Sequence, residues 1–390
     1  MHERLKYLIK HNSVVQFFYR HIMSFVFRFI GLFVRMDDKL ILFNSYGGER
    51  YDDSSKVLYE AIIKDNRFAD YHFVWAFDRL SNFTRDLCPE VWNERTKLVT
   101  IDTLSYFVAA LKAKVWITNV NIERGLHFKK KKTIYLNTWH GTGPKKSGNA
   151  IKGRNDYDFS YVDILCVDGK HSRNSMVKWF NARDEHLLYS GRPREDELFT
   201  FDEETKKNTR ADLGIPPNKK IILYMPTWRE DGDRELSLPL WEKRLSKDYV
   251  LLIRKHHFSK ANSEIQKDDF VFDVSKYHNV NELYWISDIL ISDYSSAFFD
   301  YGLLGKPMIC FAYDYDQYEK ETGFIMDLKN EFPNGIKKEE EQVIDFIQTM
   351  NYESESKKTK AYVDGYVTRP LCATKICLDR LYELATNNRK

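Results

Sequence analysis

The stretch NTWHGTGPKKSG (137–148) sets His140 between a strand-like run, KTIYL, and a turn built from Gly141, Thr142 and Gly143. A neutral imidazole has the pKa to take a proton from a hydroxyl near pH 7. The small residues after it let main-chain N–H groups approach an anion, and Lys145 and Lys146 add positive charge. The plainer alternative is a histidine capping a turn, with the glycines serving turn geometry alone.

Other strand ends carry the same kinds of group. SDYSSAFFDYGLLGKP (292–307) follows the apolar run DILI with Asp293, Ser295 and Ser296 and then a helical pattern, so the two serines fall at or near a helix N-cap, where hydroxyls and free N–H groups can grip phosphate oxygens. Plain capping by serine is the alternative. LLIRKHHF places Arg254, Lys255, His256 and His257 together after a strand, a cluster that a buried core rarely holds. MPTWRED adds Thr227, Trp228 and Arg229, and GRPRED adds Arg192 and Arg194. Donors and cations recurring at strand ends point to a polyanionic ligand with a diphosphate.

The elements that must position these groups alternate between strand and helix. KLILFNS, HFVWAFD, TKLVTID, KVWITNV, KTIYLNTW and DILCVDG read as strands, with DDSSKVLYEAIIKD and TLSYFVAALKA as helices between them. That alternation is the mark of a parallel sheet with crossovers. A polar stretch near residues 190–218 holds three of the ten prolines and reads as a domain boundary. A second alternating set follows: KIILYMPTW, YVLLIRKHH, FVFDVS, DILISDYSS and PMICFAYD. The expected division is a segment 1–36, a Rossmann-like domain 37–200 and a second Rossmann-like domain 201–390. Ligands of such folds bind at the carboxyl ends of the strands.

Composition bounds the answer. The chain has 390 residues, 43% hydrophobic and 30% charged, which suits two globular domains and excludes disorder. A net charge of +3 does not argue for nucleic acid, and the lysine run FKKKKT (128–133) reads as solvated surface. Five cysteines without a CxxC pair fit a reducing compartment and neither a disulfide framework nor a zinc site. Residues 14–34 are almost long enough to span a bilayer, but Arg20, His21 and Arg28 interrupt them. Residues 1–36 hold six Lys or Arg against the single acid Glu3, so a basic amphipathic helix lying in an anionic lipid interface is expected. An aromatic helix packed on the protein's own core is the alternative. No small-residue cleavage site follows the apolar run, so it is not a secretory signal.

Taken in order, NTWHGTGPKKSG, SGRPREDELF, ILYMPTWRED, LLIRKHHF and SDYSSAFFDYGLLGKPMICFAYDYDQYEKETGF resemble the CDP-glycerol glycerophosphotransferases of bacterial teichoic acid synthesis, the TagB/TagF group, from about residue 39 to residue 370. The resemblance implies a GT-B fold, in which two doubly wound α/β domains face one another across a cleft that holds CDP-glycerol. It implies transfer of glycerol phosphate to an undecaprenyl-diphosphate-linked saccharide, release of CMP, and a peripheral place on the cytoplasmic face of the plasma membrane. Residue by residue, it implies His140 as catalytic base, His256 as a second catalytic histidine, and Ser295 and Ser296 as the pyrophosphate grip. Arg192, Arg194, Thr227 and Arg229 correspond to further parts of the donor pocket, and Arg254 is placed with them. Gly141, Thr142, Lys145 and Lys146 fall on the acceptor or anion side. The chain departs from the family at Gly143-Pro144, often Pro-Leu, and His257 sits where the family varies.

The implied chemistry needs no cofactor and no metal if helix dipoles and cations balance the charge, and the acidic stretches DGD (231–233) and DYD (314–316) read as solvated loops. A chain of this length has no further domain to hold a long polymer, which favours a single addition. CDP-ribitol or capsule-polymer chemistry, a nucleotide-sugar glycosyltransferase on the same fold, and a non-catalytic membrane-surface scaffold are the other possibilities.

Overall fold

The computed structural model describes residues 12–141, 143–229, 234–255, 269–368 and 372–387. Its apolar runs form two parallel sheets. The first contains β1 (Asp37–Phe43), β2 (His72–Phe77), β3 (Thr96–Thr100), β4 (Ala113–Thr118), β5 (Ile134–Asn137), β6 (Ile164–Val167) and β7 (Leu187–Tyr189), in the order β3-β2-β1-β4-β5-β6-β7. The second contains β8 (Lys220–Tyr224), β9 (Tyr249–Ile253), β10 (Val271–Asp273), β11 (Ile289–Ser292), β12 (Met308–Phe311) and β13 (Ile336–Lys337), in the order β10-β9-β8-β11-β12-β13. Both orders reverse at one point, between β1 and β4 in the first sheet and between β8 and β11 in the second. Chain leaving the strands on either side of such a reversal diverges and opens a crevice at the carboxyl ends.

Each sheet is covered on both faces, which explains the near-continuous apolar runs of its strands. In the first sheet Leu42, Val74 and Trp116 enter one core while Ile41, Phe43, Val115 and Ile117 enter the other, as a side-chain period of two requires. The helix Leu104–Lys112 and the helix Lys170–Trp179 lie on the first of these faces, and the helix Asp53–Lys64 lies on the second.

The helix Ser13–Phe33 joins the first face. Asn12 caps it, accepting from the N–H groups of Val14 and Val15. Met23, Phe27 and Ile30 face the core, with Phe27 stacked on Phe107 at 4.1 Å, and Arg28 donates to the His127 carbonyl at 2.6 Å. Its other side leaves Phe25, Leu32 and Phe33 exposed at 70, 78 and 76%. One flank therefore packs on the protein's own core, and the other is a bare apolar surface. No helix among the described residues is long and apolar enough to cross a membrane.

The far end of the chain departs from the division at residue 200. The helix Ala373–Asn387 returns to the first half, where Cys377, Leu378, Leu381 and Ala385 pack with Leu136, Ile164 and Cys166. The helix Asp53–Lys64 leaves the β5 and β6 side of that face uncovered, and the last helix closes it. Asp196 caps this helix, accepting from the N–H groups of Ala373 and Thr374 at 2.8 and 2.7 Å, and Arg67 pairs with Asp379 at 2.7 Å. The thiols of Cys166 and Cys377 meet here at 3.4 Å. Leu381, fully buried in this contact, supplies a test: Leu381→Ala is expected to lower the stability of the folded chain by about 2–5 kcal/mol. An unshifted urea midpoint would mean that the last helix does not complete the first core.

Candidate active site

The two crevices face one another, and the residues at their rims touch. His140 follows β5 and is partly buried. Its Nδ1 lies 3.0 Å from the Asn119 carbonyl oxygen, just past β4. A carbonyl only accepts, so Nδ1 carries the proton and Nε2 keeps a lone pair. Burial holds the imidazole below the ordinary histidine pKa, against the opposing pull of the Asn119 carbonyl and of Asp53. The ring is therefore neutral and basic at Nε2 around pH 7. Asn119 also orders the loop after β1: its side-chain oxygen accepts from the Tyr46 N–H at 2.8 Å.

The loop after His140 runs directly onto the second half. Gly141 has φ +138°, and a Cβ there would lie 2.6 Å from the Ser296 hydroxyl; one at Gly143 would lie 3.1 Å from the Ser296 nitrogen. At Gly141 only glycine permits this approach, and a side chain at Gly143 would crowd the Ser296 backbone. Farther on, Ile325 donates to the Pro144 carbonyl at 2.8 Å and Lys146 donates to the Gly323 carbonyl at 3.0 Å, an antiparallel bridge centred on Lys145 and Phe324. Burial lowers the Lys145 pKa, with Asp293 opposing.

Ser295 and Ser296 follow β11 at the start of the short helix Ala297–Gly302. The Ser295 hydroxyl accepts from the Ala297 N–H at 3.2 Å, whereas the Ser296 side chain makes no capping bond. Beside them Thr227 donates its N–H to Asp293 at 2.9 Å, and its buried hydroxyl has no partner among the described residues. Arg254, just past β9, donates to the carbonyls of Val274 and Tyr277 at 3.1 and 2.7 Å and has no carboxylate partner among the described residues.

Between the two halves stands Arg194, with 9% of its surface exposed. It donates to Asp53 at 2.5 Å from the first half, to both oxygens of Asp300 at 3.0 and 2.9 Å from the second, and to the His140 carbonyl at 3.0 Å. Burial works against the Asp53 carboxylate, yet Arg194, the Ser54 N–H and the Tyr46 hydroxyl hold its pKa below the usual range.

With this geometry in hand, comparison with known proteins is decisive. Residues 26–367 match the family described as CDP-glycerol:poly(glycerophosphate) glycerophosphotransferase. The chain belongs to this family. It is 31% identical to a teichoic acid glycerol-phosphate transferase of Staphylococcus aureus over 86% of this chain and 92% of that one. It is 34% identical to a teichoic acid poly(glycerol phosphate) polymerase of Staphylococcus epidermidis, but over 76% of this chain and only 44% of that longer one. The solved structure of the wall teichoic acid polymerase TagF superimposes with a TM-score of 0.83 at 28% identity, covering 99% of this chain and 98% of that one. A variant of TagF soaked with CDPG superimposes with a TM-score of 0.81 at 29% identity, covering 97 and 100%. The fold is the GT-B arrangement that the family resemblance implied.

Within this glycerophosphotransferase, the expected site residues separate into two groups. His140, Gly141, Lys145, Ser295, Ser296, Thr227 and Arg254 stand around the crevices. Arg192, Arg194 and Arg229, expected against donor phosphate, are instead committed to carboxylates. Arg192, 2% exposed, pairs with Asp168 and with Glu195, the latter at 3.0 Å. Arg229 pairs with Asp293 at 2.9 Å and with Asp314 at 2.8 Å. Its partner also corrects the reading of DYD as a solvated loop, since Asp314 binds both Arg229 and the Tyr294 hydroxyl, the latter at 2.8 Å. Lys146 turns towards a neighbouring cavity. His256, His257, Thr142 and residues 231–233 lie outside the described residues. Tyr46, Asn119, Asp53 and Asp300 were not singled out in sequence; the only local hints are the acids in DDSS and in the apolar run FFDYG. Among the described residues no three His, Cys, Asp or Glu side chains converge as a metal site would need.

Removing the Arg194 fork strands two buried carboxylates. Arg194→Ala is expected to cost about 3–5 kcal/mol, and Arg194→Lys, which keeps the charge but not the planar geometry, to recover only part of it. Urea unfolding followed by tryptophan fluorescence measures both, and equal midpoints for all three proteins would refute the role.

Proposed function

We propose that the chain transfers glycerol phosphate from CDP-glycerol to a hydroxyl of a lipid-linked teichoic acid precursor and releases CMP. The observation that carries the mechanism is the His140 imidazole: its Nδ1 is tied to the Asn119 carbonyl, its Nε2 is left basic, and its loop packs on Ser296. Family membership and the TagF variant soaked with CDPG support CDP-glycerol as the donor.

In this mechanism Nε2 of His140 takes the proton of the acceptor hydroxyl. The oxygen attacks the glycerol-bearing β-phosphorus, and the bond from that phosphorus to the bridging oxygen breaks. CMP departs with the bridging oxygen on its phosphate. Negative charge growing on the α-phosphate meets the Ser296 and Thr227 hydroxyls, the N–H groups at the start of Ala297–Gly302, and the Arg254 guanidinium. Arg192, Arg194 and Arg229 act from behind, holding the loops that present these groups. His256 is carried as a second catalytic histidine on resemblance alone. The reading takes no resident metal or cofactor.

The acceptor is membrane-bound, and the exposed flank of Ser13–Phe33 is the surface suited to rest in the lipid interface, on the cytoplasmic side. Leu32→Asp with Phe33→Asp should release the protein from anionic vesicles in a flotation assay; undiminished flotation would remove the helix from this role.

Product analysis tests the reaction itself. Mass spectrometry after incubation with CDP-glycerol or CDP-ribitol and a lipid-linked disaccharide should show addition of glycerol phosphate and formation of CMP. His140→Ala should slow this by roughly 10² to 10⁴-fold. A base is lost when it gains a proton, so wild-type kcat/KM should be flat through neutral pH. It should fall only on the acid side, with its midpoint below the ordinary histidine value of about 6.5. An acid limb unchanged in the residual activity of His140→Ala would assign it to another group.

A further inference from the structure

Beside the catalytic loop lies a second feature that the reaction as described does not use. Between the helix Lys170–Trp179 and the Phe324–Ile325 segment is a cavity of about 580 Å³. Its charged lining is Lys146, Arg173 and Lys178, joined by His171, and none of the described residues lining it is acidic. Arg173 is already answered by Asp184, through contacts of 2.8 and 2.7 Å. Lys146 and Lys178 have no ion-pair partner among the described residues. Lys178 lies over the Trp179 ring at 4.5 Å, and Lys146 runs along Gly323, which has no side chain to obstruct it. The His171 Nε2 is buried without a hydrogen-bond partner among the described residues.

Lys146 and Lys178 line one concavity without an ion-pair partner among the described residues, and such a wall favours an anion. Trp179 and Phe324 add flat apolar surface on which carbon-bound hydrogens can rest. This combination suits phosphate groups spaced by short carbon units better than a bare inorganic ion. The cavity also adjoins the catalytic loop. Lys146 belongs to the strand-like stretch that continues from His140, and the His171 ring lies against the Gly143 backbone. The helix carrying Lys178 shares its sheet face with Ser13–Phe33, so a ligand anchored in lipid beneath that exposed flank would reach the molecule on this side.

We propose that this cavity seats the phosphate of the acceptor, with Lys146 and Lys178 as its ligands and Trp179 and Phe324 as its walls, and so fixes which hydroxyl reaches His140. The inference rests on the glycerophosphotransferase reading and adds to it a second anion site separate from the donor's. The phosphate has two possible sources of the same chemistry: the phosphodiester of glycerol phosphate already attached, or the diphosphate joining saccharide to lipid.

Calorimetric titration of the whole chain at low salt tests it, with a synthetic glycerol phosphate trimer in one arm and a short-chain prenyl-diphosphate disaccharide in the other. The double variant Lys146→Ala/Lys178→Ala is expected to bind one or both probes about tenfold more weakly, while Lys178→Arg binds as the wild type. Weakening in the first arm assigns the attached glycerol phosphate, and in the second the lipid diphosphate. Equal affinity of wild type and double variant in both arms, or no binding of either probe by the wild type, overturns the proposal. CDP-glycerol titrated into the same wild-type sample keeps the two readings apart. Failure to bind it would sink the donor chemistry, while the acceptor arms would still decide this site.

Discussion

One guanidinium organises the molecule. Arg194 sits where the two halves meet, and its planar fork spans a carboxylate from each of them and the main chain of the proposed base. A buried ion pair of this kind adds little net stability, because desolvation offsets its Coulomb energy. Its effect is geometric. The three acceptors are held in one arrangement, since the alternative is to leave charge buried without a partner.

The rest of the site follows from that register. Asp300 lies in the short helix that begins after Ser295 and Ser296, and Asp53 accepts from Tyr46, whose backbone is bound to Asn119. Asn119 in turn fixes the His140 tautomer. His140 and the loop of Ser295 and Ser296 are thereby linked through five residues, Asn119, Tyr46, Asp53, Arg194 and Asp300. Arg192 with Asp168 and Glu195, and Arg229 with Asp293 and Asp314, repeat the device in the first half and at the second crevice. Cations recur at the strand ends of this fold in two arrangements: Arg192, Arg194 and Arg229 are consumed by carboxylates, whereas Arg254 has no carboxylate partner among the described residues.

The fold was legible because parallel strands buried on both faces write continuous apolar runs, and helices between them write a period near 3.6. KVWITNV and DILISDYSS needed no context to be read as strands. The last helix was misassigned because its apolar stripe of Cys377, Leu378 and Leu381 states only that one face is buried, not which sheet buries it. The groups that line the crevices were legible as candidates where glycine, serine and histidine crowd a strand end, as in NTWHGTG and SDYSS. It was not legible in the arginines, because a sequence shows a cation but not the carboxylate that another element will bring to it. Asp53 and Asp300 are far from Arg194 along the chain, and nothing local to any of the three announces the contact.

Taken alone, the order of residues determined the two sheets, the place of each candidate group at a strand's carboxyl end, and through its motifs the family. These are local properties: side-chain period, turn chemistry and short spacings survive without knowledge of the neighbours. Tertiary structure alone decided which cations are consumed by carboxylates, which nitrogen of His140 is basic, and that the chain's last helix returns to its first core. Each of those depends on a partner distant in sequence, and burial, which sets the cost of leaving a charge or an apolar face unmatched, exists only once the chain has folded.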